Sequence, residues 1–116
     1  HQAMYALYRG LYQIASTLKE THLPQLTPAQ AEALRLAYGR VPSARGNDAM
    51  VPVLSQVWGK VVHAAWADHL DVIGHFDEPD HAPLHVDWLR TLSGFSRMEF
   101  EAMWDRVASF CFPEVA

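Results

Sequence analysis

The heptapeptide Lys60-Val61-Val62-His63-Ala64-Ala65-Trp66 is the stretch that most restricts what this chain can fold into. It is short, apolar and β-branched in its first half, and it is the only segment that reads with any clarity as a strand. A lone strand cannot satisfy its own backbone N–H and C=O groups, so it needs neighbours. Those neighbours come either from a second copy of the chain or from a larger sheet of which this chain is one part. The second arrangement is the more economical, and it sets the expected fold class: α/β, mostly helical within this chain, with one or two strands.

The rest of the chain is helix and loop. Met4, Leu7, Tyr8, Leu11, Ile14, Ala15 and Leu18 recur at helical spacing, with Gln2, Arg9, Gln13 and Lys19 opposite, which predicts an amphipathic helix over 3–19. Thr27-Pro28-Ala29-Gln30 is a capping box with proline at the first helical position, and Gly39 is the matching stop. Residues 40–48 are loop-like, 53–58 predict a short helical turn, and 74–83 form a second loop. A short helical piece is expected over 85–92. Ser96-Arg97-Met98-Glu99 is another capping box, followed by a core-facing stripe of Phe100, Met103, Trp104, Val107 and Cys111, and Pro113 closes the element.

With 116 residues the chain is at most one domain. Its 50% hydrophobic and 19% charged residues argue against disorder, and its net charge of −4 argues against nucleic acid or an anionic membrane as partner. The single cysteine excludes an internal disulfide and a cysteine-based zinc cluster. No apolar run approaches the length of a membrane span. A chain that begins at His1, without an initiator Met or a signal-peptide layout, is expected to be cut or processed. The four tryptophans, Trp58, Trp66, Trp88 and Trp104, have apolar settings that predict core packing.

Two loops carry residues suited to chemistry: Gly46-Asn47-Asp48-Ala49-Met50-Val51-Pro52, and the segment from Trp66 to His75 with His69 inside it. An Asp on one loop and a His on a later one, after a strand, is the order of the last two members of a hydrolase triad. There the carboxylate fixes the imidazole tautomer, and the imidazole takes and returns the nucleophile's proton.

The run from Asn47 to Phe76, with Ser55-Gln56-Val57-Trp58-Gly59-Lys60 between the two loops, resembles the C-terminal part of bacterial triacylglycerol lipases and esterases of the α/β-hydrolase superfamily. The resemblance implies that Asp48 is the catalytic acid and His69 the catalytic base. It also implies that residues 1–39 are the helical lid or insertion region, and that 40–116 supply the acid loop, the histidine loop and the closing helix. Ala49 stands where the family usually has Gly. In the calcium-dependent members, the Asp two residues after the histidine binds the ion, which is Asp71 here. A second carboxylate comes from upstream of the acid loop in those enzymes, and Leu23 to Gln30 offers none. By the same resemblance the substrate is an ester or lipid, and the location is secreted or in the cell envelope.

The nucleophile of that superfamily sits in G-x-S-x-G ahead of both acid and base, and the chain has no such motif. Gly94-Phe95-Ser96-Arg97-Met98 lacks the final glycine and follows the histidine. The serine and its oxyanion hole are therefore expected on other sequence, and the chain alone is expected to be inactive. Its partner is then the N-terminal portion of the same hydrolase or another copy of this chain.

Three other readings stay open on the residues. His69 can be a strand-end histidine bonded to Asp68 or a carbonyl. His69, His75, His81 and His85, with Asp71, Asp77 and Asp80, can make a zinc-binding domain, although Pro83 interrupts the helical spacing of His81 and His85. The chain can also be a small helical interaction module.

Overall fold

The computed structural model describes residues 2–17, 19, 22–78, 87–89 and 91–114. Three helices carry the architecture: α1 (Gln2–Ala15), α2 (Pro28–Tyr38) and α3 (Arg97–Cys111). Short helical turns at Val53–Gln56 and Asp71–Ile73 punctuate the long loop region between α2 and α3.

This overturns the α/β expectation. Residues 60–66 are neither strand nor helix, and the described residues contain no sheet, only an isolated antiparallel bridge between Asn47 and Pro52. A strand exists only through its partners, and among the described residues no other segment pairs with 60–66 to accept its hydrogen bonds. The segment is instead anchored by side chains at its edges. The Tyr38 hydroxyl donates to Ala65 O (3.0 Å), and Gln30 Nε2 donates to Gly59 O (2.6 Å).

α2 begins and ends as its sequence dictates. Thr27 Oγ1 accepts from Gln30 N (3.2 Å), Thr27 N donates to Gln30 Oε1 (2.9 Å), and Gly39 takes the left-handed φ of 79° that closes the helix. α1 is shorter than its apolar periodicity predicts. The Ser16 hydroxyl folds back to Tyr12 O (2.7 Å) and the Thr17 hydroxyl to Ile14 O (2.8 Å), while Thr17 N turns to Ile14 O (3.2 Å), tightening the chain as it leaves the helix.

At α3 the expected capping box is absent. Ser96 has the extended backbone of a cap, but its hydroxyl makes no cap bond. The helix expected over 85–92 falls partly outside the described residues, and 87–89 and 91–92 are not helical.

Among the described residues the buried apolar core is small: Leu34, Ala44, Ala49, Phe76, Leu89 and Phe95. Phe76 organises it, with Phe95 at 5.9 Å and Phe100 at 5.4 Å between ring centroids. Neither α1 nor α3 buries a residue completely, and no two helices form a packed interface among the described residues. The tryptophans expected in the core are exposed, Trp58 by 94%, and so is Cys111, because no second layer among the described residues covers their faces. The molecule is a slab of 42 × 41 × 20 Å.

Candidate functional site

Asp48 lies in a tight turn that the local sequence closes by itself. Asp48 N donates to Val51 O (3.2 Å), while Asp48 Oδ1 accepts from Met50 N (3.0 Å) and Val51 N (2.7 Å). Those two amides leave Oδ2 free to turn outward. The turn requires φ of 84° at Ala49, the left-handed region that favours glycine, which is the position where the resembled family carries Gly. Asn47 ties the turn to the end of α1. Its Nδ2 donates to Tyr12 O (3.2 Å) and Ser16 Oγ (3.1 Å), and its Oδ1 accepts from Ala49 N (2.9 Å).

His69 meets this turn twice. Its backbone N–H donates to Asp48 O (2.9 Å), and its Nδ1 lies 2.8 Å from Asp48 Oδ2. The carboxylate is 14% exposed and the imidazole 39%, so the pair is shielded on the acid side and open on the base side. Gln56 Nε2 stands 3.4 Å from the same Oδ2 and 3.2 Å from Val51 O. With an ionised Asp48 the ring N–H sits on Nδ1, and the lone pair is on Nε2. No hydroxyl of a described residue bonds to that nitrogen. The strand-end alternative, His69 bonded to Asp68, is not the arrangement found.

Asp68 and Asp71, on either side of His69, are buried and shape its turn. Asp68 Oδ1 accepts from Leu70 N (2.8 Å) and Asp71 N (3.1 Å), and its Oδ2 accepts from the Thr91 hydroxyl (2.9 Å). Asp71 Oδ2 accepts from Asp68 N (2.8 Å) and the Ser93 hydroxyl (2.8 Å). Burial pushes the Asp71 carboxyl up to about 7, with the charges of Asp68 and Asp87 adding to the effect against the lowering by its hydrogen bonds.

Asp71, expected as a calcium ligand, thus stands with Asp68 and Asp87, and one oxygen of each lies within 4.8 Å of the others. An all-oxygen, carboxylate-rich set suits a hard divalent cation. The resemblance places a second carboxylate upstream of the acid loop. In the structure the carboxylates beside Asp71 are those of Asp68 and Asp87, and nothing in the linear spacing of Asp87 announces that.

The zinc reading gains no such cluster. Among the described residues no group of three potential ligands includes a histidine, and His75 stands edge-on to Trp88 with centroids 6.1 Å apart. His81, His85 and Asp80 lie outside the described residues. Set beside family models, curated proteins and solved structures, the chain matches none of them.

Proposed function

We propose that Asp48 and His69 are the acid and base of a serine ester hydrolase whose nucleophile lies outside this chain. The 2.8 Å contact between His69 Nδ1 and Asp48 Oδ2 carries the reading. In such a pair the carboxylate holds the imidazole in the tautomer with Nε2 unprotonated and stabilises the imidazolium that follows. Nε2 takes the proton of an incoming serine hydroxyl and returns it to the departing alcohol. The two amides on Asp48 Oδ1 keep the acid pointed at the ring, and the His69 N–H to Asp48 O bond keeps the two loops in register. The substrate is a carboxylic ester.

The test combines spectroscopy with turnover. In this chain, Asp48→Asn should move or abolish the low-field Nδ1–H proton resonance of His69 that the 2.8 Å contact with Asp48 Oδ2 predicts. In the protein that unites this chain with the nucleophile-bearing polypeptide, His69→Ala should reduce hydrolysis of a short-chain ester by several orders of magnitude, because triad members act as a unit. Full activity of the isolated chain on an activated ester would overturn the division of the site.

A second proposal concerns calcium, favoured by the convergence of Asp68, Asp71 and Asp87. When bound there, the ion would neutralise two buried carboxylates and brace the turn that carries His69. Millimolar calcium should then raise the melting temperature of the wild-type protein but not of Asp87→Asn. Equal melting curves with and without calcium exclude this site.

A further inference from the structure

We propose that the cavity between α1 and residues 40–47 binds an aromatic carboxylate. The cavity holds about 660 Å³, within the range of small-molecule sites. Its walls are aromatic. Tyr8 and Tyr12 stand on the inner side of α1 with ring centroids 5.9 Å apart, and Tyr38 meets Trp66 edge-on at 5.1 Å. The Tyr38 hydroxyl is already engaged by Ala65 O, so that ring offers its apolar surface.

Arg40 and Arg45 also line this cavity, and neither has an ion pair among the described residues. The one carboxylate in the wall, Asp68, is taken up by Leu70 N, Asp71 N and the Thr91 hydroxyl. A planar aromatic ring to stack on tyrosine and tryptophan, carrying one anionic group for the guanidinium forks, satisfies both features at once. A neutral aromatic molecule would leave the cations unanswered, and an aliphatic acid would leave the ring walls poorly filled.

The cavity also lies beside the dyad. Asn47 and Asp68, which line it, immediately precede Asp48 and His69 in the chain. The use of this cavity as a substrate pocket, for esters with an aromatic acid part, rests on the hydrolase proposal; the binding itself does not.

Calorimetric titration of this chain with 4-hydroxycinnamate, its neutral amide and hexanoate separates the features. The cinnamate should bind at one saturable site, with the amide and hexanoate about tenfold weaker or more. The double variant Arg40→Gln/Arg45→Gln, both exposed and structurally unencumbered, should bring the cinnamate down to the level of the amide with an unchanged melting temperature. Trp66→Ala should weaken both aromatic ligands alike. His69→Ala should leave binding intact, so that a failed hydrolase reading and a failed cavity give different results. Absence of saturable binding at millimolar ligand, equal affinity for the amide, or indifference to the double arginine substitution would each overturn the proposal.

Discussion

Asp71 shows how one side chain links site geometry to stability. It is buried with no cation beside it among the described residues, and its carboxyl titrates near 7 instead of in the usual acid range. A carboxyl more basic in the fold than in the unfolded chain holds its proton more tightly when folded. The stability it contributes is complete below its unfolded pKa of 3.8 and is lost as the pH rises through about 7. The wild-type protein should therefore lose melting temperature between about pH 4 and pH 7. Asp71→Asn, which imitates the protonated carboxyl and retains an acceptor for Asp68 N and the Ser93 hydroxyl, should flatten that fall. Parallel slopes for the two proteins would show that Asp71 ionises freely in the fold. The site residues differ in how readily the sequence discloses them. Asp48 and His69 sit in short turns closed by their own neighbours, so those turns can be read locally. Asp87 joins Asp68 and Asp71 only through tertiary closure.

At the scale of elements, the two capping boxes make a controlled comparison. Both have a hydroxyl residue followed three positions later by Gln or Glu. Thr27 makes both reciprocal bonds, and the Gln30 amide further reaches Gly59 O at 2.6 Å. Ser96 makes no side-chain cap bond. Thr27→Ala should cost about 1 kcal/mol in denaturant unfolding, whereas Ser96→Ala should change stability by less than about 0.5 kcal/mol. Comparable losses at both positions would mean that Ser96 caps α3 in solution. The motif specifies what a turn can do in isolation. Whether the side chains of the motif close on each other is decided by the surroundings of the turn, and Ser96 stands at a cavity lined also by Asp71 and Asp87.

The whole molecule exposes more surface than a chain of its size should. A compact protein of this mass presents roughly 6,400 Å², against 8296 Å² here. Its radius of gyration is 15.2 Å, where about 13 Å is usual. The excess exceeds the roughly 800 Å² per partner that a standard interface covers. Trp58, Leu92, Met98, Ile14 and Leu36 all stand more than two-thirds exposed. Exposed apolar area on this scale favours association. Sedimentation at micromolar concentration should show a complex, either with a second polypeptide or between copies. A well-behaved compact monomer would instead favour an independent helical module and count against the division of the hydrolase site between polypeptides.

What the sequence alone determined are the features whose causes lie within a few residues: the start and stop of α2 and the turn that aims Asp48. These follow from side chains bonding to nearby backbone, which needs no distant partner. The tertiary structure decided the rest. Residues 60–66 have the composition of a strand, but a strand is a property of two segments, and the described residues supply no second one. The tryptophans have the composition of a core, but burial requires a facing layer, and the helices do not provide it. The carboxylate cluster and the aromatic cavity likewise join residues far apart in sequence, and only the path of the chain through space brings them together.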